Sequence, residues 1–405
     1  MSIIKDYIRF FHTSTNQMMV LLWAFYIISY LRGFLLHIPI EPEVADTIII
    51  ILIGLPITFS LPFIIKQPVV YRCFFIYFIL CILYILNEIV YPENLQILDK
   101  NFNRCLFTSF PFIMYGCLID IRKYFNAFYL TSIICIALDA FYFLIYNSNG
   151  INVSGIESDH NMTAAYALLP HVLLCISAAF RKFKLWKLGI AIVGGLMLLS
   201  YGTRGPIACL IVFLIAYLIL LRKTRVKDLI ILSAVVILIF VFFDQIMTLL
   251  LHVIGDLMGM STRVLDRFIN KDIADDEVRD WITSTLMTKL KEENRLFGYG
   301  LLGSYNITGG YPHNFFVDIL FSFGYLVGGL LLLLCIYYSF KAFKISDIEE
   351  RTFFLVLLCS GFMHLMFSGT FIYDADFYLF IGYLVRLLIK PIPYDNTEKL
   401  NRYNI

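Results

Sequence analysis

Apolar runs of bilayer-crossing length recur along nearly the whole chain, centred near residues 28, 56, 80, 112, 135, 170, 193, 213, 239, 326, 362 and 383. A helix needs about 20 apolar residues to cross the hydrocarbon core, so these runs predict about twelve spans. In lipid each backbone N–H and C=O must find a partner within the protein, which a continuous helix supplies. With 60% hydrophobic and 15% charged residues and a mean hydropathy of +0.79, a soluble globular fold is excluded. The expected fold class is all-α, a polytopic membrane helical bundle. The first run, residues 18–38, is too long for a signal-peptide core and has no small-residue cleavage site after it, so it reads as a retained span.

Basic residues in short loops set the orientation. Lys66 and Arg72, Arg122 and Lys123, the group from Arg181 to Lys187, the group from Arg222 to Lys227, and Lys341, Lys344 and Arg351 mark alternate connections as cytoplasmic. The connections between them carry Glu41, Glu43 and Asp46, or residues 147–160 without Lys or Arg, or Asp374 and Asp376, and are expected outside. Both termini are then cytoplasmic. Residues 1–251 hold helices 1 to 9, residues 252–311 form an external loop, residues 312–390 hold helices 10 to 12, and residues 391–405 form a cytoplasmic tail.

The external loop is too long for a passive turn. Within it, Asp275 or Asp276 can cap a helix, Val278, Trp281, Ile282, Thr285, Leu286 and Leu290 follow at helical spacing, and Gly298 stands where a terminal glycine would end it. An amphipathic helix on the membrane or over the spans is expected. Its surroundings carry seven Lys or Arg against nine Asp or Glu, so attraction to anionic lipid does not explain the loop.

The formal net charge of +2 derives mainly from the cytoplasmic loops and gives no reason to invoke nucleic acid. The nine cysteines lie in or beside spans, without a C-x-x-C pair, which argues against external disulfides and zinc. No fixed-period repeat is present.

Several residues carry chemistry. The segment FGYGLLGSYNITGGYPHN, residues 297–314, leads through glycines that include Gly300 to Tyr311, Pro312, His313 and Asn314 at the lip of a span. Its glycines allow positive φ and close approach of a ligand, and Pro312 suits the first turn of the next helix. His160 and Asn161 begin a span in the same manner, as ligand contacts or as a polar helix cap. Arg204, in the turn YGTRGP, can present a planar guanidinium to a phosphate, or contact lipid headgroups. Arg279, in DDEVRDW, is a second cation, or a partner for Asp275, Asp276 or Asp280. Arg32, Glu88 and Asp139 lie inside apolar runs, and Asp139 is the deepest.

Taken together, the T-R-G turn, the long loop with R-x-W running into Phe-Gly-Tyr-Gly, and His-Asn at the next span resemble the bacterial O-antigen polymerase and O-antigen ligase family over roughly residues 155–390. The ligase pattern continues from His313 and Asn314 through nine residues to Gly324, then departs, with Val327 at its last position and Gly328 one later. The resemblance implies a glycosyltransferase of the inner membrane, facing the periplasm, acting on undecaprenyl-diphosphate-linked glycan. It implies no cofactor and no metal, and it allows a chain-length regulator protein as a partner. Arg204 and Arg279 would hold the diphosphate and His313 would be the base, with Asn314, Tyr311, His160, Asn161 and Gly300 contacting substrate.

The departure at Val327 favours a polymerase over a ligase or a protein O-oligosaccharyltransferase. Two other chemistries stay open. Asp374-Ala375-Asp376 is a D-x-D that can hold a divalent ion through oxygen ligands. A solute transporter could use Asp139, Glu88 and Arg32 as a coupling path, though it leaves the long loop unexplained.

Overall fold

The structure, a computed structural model, describes residues 44, 68–148, 158–181, 184–201, 203–221, 248, 252, 277–293 and 295–389. The runs near 28, 56 and 239, together with Arg32, Asp275 and Asp276, lie outside the described residues. Those described are mostly helical, with no strand among them. In chain order the helices are α1 (Pro68–Val90), α2 (Leu95–Asn103), α3 (Phe112–Leu118), α4 (Ile121–Ser148), α5 (Ser158–Arg181), α6 (Leu185–Ser200) and α7 (Arg204–Leu220). They continue as α8 (Glu277–Glu292), α9 (Tyr305–Thr308), α10 (Phe315–Phe323), α11 (Gly329–Ile345), α12 (Ile348–Leu357) and α13 (Ala375–Ile389).

Four stretches are long and apolar enough to cross a membrane: Cys73–Val90, Tyr124–Phe141, Ala164–Arg181 and Phe315–Ile345. Leu185–Leu199 and Arg204–Leu220 are apolar but shorter. The run near 112 is divided, because a π turn at Arg104–Ser109 and Pro111 separate α2 from the short α3. Near 362, α12 passes into a π turn at Leu358–Phe362 and a 3₁₀ turn at Met363–Met366.

Charged connections meet at one end of the bundle. Arg122 pairs with Asp347 and Glu350, Arg181 with Glu349, and Arg386 with Asp120. Asp347 and Glu350 also form the capping box that starts α12, satisfying backbone N–H groups left open at a helix start. Helices approach closely where glycine removes the side chain, as expected without a hydrophobic force between helices in lipid. A Cβ on Gly116 of α3 would stand 2.7 Å from the Tyr383 nitrogen of α13, and one on Gly361 would stand 2.4 Å from the Asp376 oxygen. Cys73 and Cys117 form a disulfide between α1 and α3, beside the Asp120 and Arg122 end and away from the long loop. Their positions in apolar runs did not suggest this pairing.

The stretch from Phe315 to Ile345 is broken in the middle. Gly324 adopts φ 75° and opens a π turn through Gly328. The carbonyls of Phe321 and Ser322 accept from the N–H groups of Tyr299 and Gly300 at 2.9 and 3.0 Å, and Leu326 donates to the Leu296 carbonyl at 3.3 Å. The Phe-Gly-Tyr-Gly segment therefore pairs the backbone groups that the break releases, as a broken membrane helix requires. Helix α8 covers this junction, with Ile282, Leu286 and Leu290 buried against Tyr299, Val317 and Phe321. The Tyr299 and Phe321 rings stack at 4.4 Å. The amphipathic helix expected in the loop is present, but Val278 and Trp281 are exposed instead of sharing its buried stripe. It ends at Glu292, before Gly298, because Gly298 serves the docked segment instead of a helix terminus.

Candidate functional site

The lip that carries His313 is held from several sides. Helix α9 ends at Gly309, whose φ of 74° is the left-handed conformation glycine adopts without cost. Thr283 of α8 donates to the Pro312 carbonyl at 3.2 Å. Asn314 is the N-cap of α10, its side-chain oxygen accepting from the N–H groups of Phe316 and Val317 at 3.0 and 3.3 Å. Pro312 thus lies two residues ahead of the cap and not in the helix's first turn. Between them, His313 takes φ 51°. A side chain held in this region costs about 1–3 kcal/mol and is a pointer toward function. Its ring packs on Tyr311, with centroids 4.2 Å apart.

Arg204 is the first residue of α7 and is half-buried. Its neighbour Gly205 lies against Tyr166 and Phe367, where any Cβ would strike the Tyr166 hydroxyl. The Tyr166 ring in turn packs on His364 with centroids 5.1 Å apart. His364 is buried, and its Nε2 is 2.8 Å from Asp374 Oδ2. The other oxygen of Asp374 accepts from the Phe377 N–H at 2.7 Å, at the start of α13. Both Asp374 oxygens are thereby engaged in holding the turn between α12 and α13. Arg279, Tyr311 and Asp374 contribute to the electrostatic surroundings of the Tyr166 hydroxyl. Tyr166 thus packs between the Arg204 turn and His364.

Neither Tyr166 nor His364 was singled out in the sequence. The available signal was a histidine ten residues ahead of the D-x-D, in the stretch HLMFSGTFIYDAD. His160 and Asn161 belong to the first turn of α5, with side chains outside the described residues. Met162, one residue on, accepts from Ser368 Oγ at 3.5 Å, which places that turn beside the hairpin bearing Asp374. The space at Gly300 is filled by protein: a Cβ there would be 2.6 Å from the Tyr91 ring and 2.9 Å from Asn87 Oδ1. Asp139 is fully buried and accepts from Tyr201 at 2.5 Å, three residues ahead of Arg204.

A row of tyrosines continues the lip. Tyr305 packs beside Tyr311 at 6.2 Å, the hydroxyls of Tyr305 and Tyr373 are 3.0 Å apart, and the Arg104 guanidinium lies 4.1 Å from the Tyr373 ring centroid. Burial raises both phenols above the usual tyrosine range, so they keep their protons well into alkaline pH. The row is anchored by backbone contacts. Ser109 donates to the Tyr373 carbonyl at 2.7 Å, Asn306 to the Glu93 carbonyl at 2.9 Å, and Asn94 to the carbonyls of Tyr299 and Leu301 at 2.8 and 3.2 Å.

No protein-family model, curated protein or solved structure matches the chain.

Proposed function

We propose that this chain is a membrane glycosyltransferase, an O-antigen polymerase that joins oligosaccharide repeat units carried on undecaprenyl diphosphate. It crosses the bacterial inner membrane about twelve times, the figure set by about 20 apolar residues per span. Both termini are in the cytoplasm and the site faces the periplasm. The observation that supports this reading best is the packing of Tyr166 against Gly205, next to Arg204, with Arg279 and Tyr311 contributing to the electrostatic surroundings of its hydroxyl. His313 stands on Tyr311 in the same lip.

In the reaction, an acceptor hydroxyl oxygen bonds to the anomeric carbon while the bond from that carbon to the diphosphate oxygen breaks. The hydroxyl proton passes to the His313 imidazole, whose ordinary pKa of about 6.5 suits a base near neutral pH. Arg204 and Arg279 stabilise the charge that gathers on the departing diphosphate through paired N–H donors. Asn314, Tyr311, His160 and Asn161 line the approach. Gly300 acts through the fold, by letting the loop seat against Tyr91.

Deletion in the native host, followed by electrophoresis of surface polysaccharide, tests the assignment. A polymerase leaves a single repeat unit on the lipid anchor. Loss of all attached polymer with accumulation of lipid-linked chains indicates a ligase instead, and unchanged glycans with altered solute uptake indicate a transporter.

A further inference from the structure

Arg104, Tyr373, Tyr305 and Tyr311 form a continuous cationic and aromatic wall that ends at His313. None of the three rings is fully buried, and Arg104 is exposed. A guanidinium over an aromatic face is held by the ring quadrupole. Its N–H donors radiate in its own plane and stay available to another acceptor. Among the described residues no carboxylate pairs with Arg104, whereas Arg181, Arg295 and Arg386 each have one and Arg122 has two.

From this wall we infer a saccharide-binding subsite for an acidic glycan, with sugar rings laid against Tyr305, Tyr311 and Tyr373 and a sugar carboxylate on Arg104. The inference rests on the polymerase reading and names the substrate class of that site. The C–H face of a pyranose is apolar and complements the negative face of an aromatic ring. The planar N–H edge of arginine matches a carboxylate in bidentate fashion, which a lysine cannot. The Tyr305 and Tyr373 hydroxyls, kept protonated by burial, offer donors and acceptors to ring hydroxyls. The wall is also preorganised, because Asn94, Asn306 and Ser109 fix the backbone behind it, so little ordering entropy opposes binding. Gly309, between Tyr305 and Tyr311 in sequence, is exposed, and a Cβ on it would meet nothing within 4 Å, so it does not cover the wall.

The test uses the full chain in nanodiscs of neutral phosphatidylcholine and the host's own repeat-unit oligosaccharide, released from its carrier by mild acid, with binding read by saturation-transfer NMR. Wild type should bind it, and Arg104→Gln should weaken binding by about tenfold, equivalent to about 1.4 kcal/mol. Reducing the sugar carboxylates to alcohols should cost wild type the same factor and cost Arg104→Gln nothing further. Tyr373→Ala should also weaken binding, while binding of undecaprenyl diphosphate by Arg104→Gln should match wild type. The subsite is overturned if wild type does not bind the oligosaccharide, if the repeat unit lacks a carboxylate, or if Arg104→Gln binds like wild type. A defect confined to nanodiscs of anionic phosphatidylglycerol also overturns it, since Arg104 then serves lipid headgroups. Failure of the polymerase reading appears separately, as unchanged surface polysaccharide on deletion.

Discussion

Gly298 and Gly324 face each other backbone to backbone: a Cβ built on either would stand 2.5 Å from the nitrogen of the other. Both have positive φ, 74° and 75°. One glycine belongs to the loop segment and the other to the break in the helix from Phe315 to Ile345, so their contact joins the loop to the membrane domain. Each position lacks room for a side chain and also requires a conformation that L-residues avoid.

Alanine at either glycine should therefore destabilise the protein by roughly 2–4 kcal/mol, in the upper part of the range for single substitutions. Gly309→Ala, with φ 74° but open space around it, should show only the conformational cost of about 1 kcal/mol. Gly195→Ala, with neither constraint, should be neutral or slightly stabilising, since alanine favours a helix. Thermal unfolding in detergent orders the variants. Equal melting temperatures for Gly324→Ala and Gly195→Ala would separate the loop from the break.

Arg204 and Arg279 should resist replacement by lysine. If each offers a guanidinium fork to a diphosphate, Arg204→Lys and Arg279→Lys keep the charge but lose the paired donors. Turnover of purified enzyme on lipid-linked repeat units should then fall about a hundredfold, the scale of one lost transition-state donor. Gly205→Ala should act in the same direction by displacing Tyr166. Full activity in the doubly lysine-substituted protein would reduce both arginines to markers of topology.

His313→Ala should slow transfer roughly a hundredfold to ten-thousandfold, the usual contribution of a general base. Because position 313 has φ 51°, the matching control is His313→Asn, which tolerates the left-handed region and isolates the imidazole from the backbone. Both variants should be equally inactive, with His313→Asn the more stable of the two. His171 is a poor control, since it is buried against Ser132 at 3.2 Å and its removal opens a cavity. Near-normal rates in His313→Asn would remove the base from the mechanism.

Acid should loosen the loop before it unfolds the bundle. Hydrogen bonding with the Tyr299 hydroxyl, and then the charges of Arg295 and Lys289, hold the Glu293 carboxyl below its usual range. A folded-state pKa below the unfolded one contributes stability that is present above the unfolded value. That stability is lost as pH falls through the folded value. Hydrogen exchange of the 296–300 backbone should therefore accelerate as pH drops below about 4.3, the ordinary glutamate value, relative to the intrinsic rate. Glu293→Gln should show the faster exchange at all pH values. An identical pH profile in wild type and Glu293→Gln would assign the loosening to another carboxylate.

Helix class, the apolar runs and the amphipathic α8 followed from sequence because each rests on local periodicity and composition, which the backbone must obey wherever the chain goes. Arg122 and Arg181 were legible only as loop charges, whereas their ion pairs with Asp347, Glu349 and Glu350, and that of Arg386 with Asp120, were not. His313, Arg204 and Arg279 were legible as residue types suited to a chemistry. What joins them was not. Tyr166 looks like any aromatic residue of an apolar helix, and only packing sets it beneath Gly205, against His364 and within the field of Arg279. The glycines of Phe-Gly-Tyr-Gly suggested room for a ligand, yet Gly298 and Gly300 make room for the chain's own backbone and for Tyr91. The helix break at Gly324 depends on donors from Tyr299 and Gly300, more than twenty residues away in sequence. Local pattern fixes what a segment can form, whereas a contact between distant segments depends on which surfaces remain unpaired after each has formed, and that only tertiary structure decides.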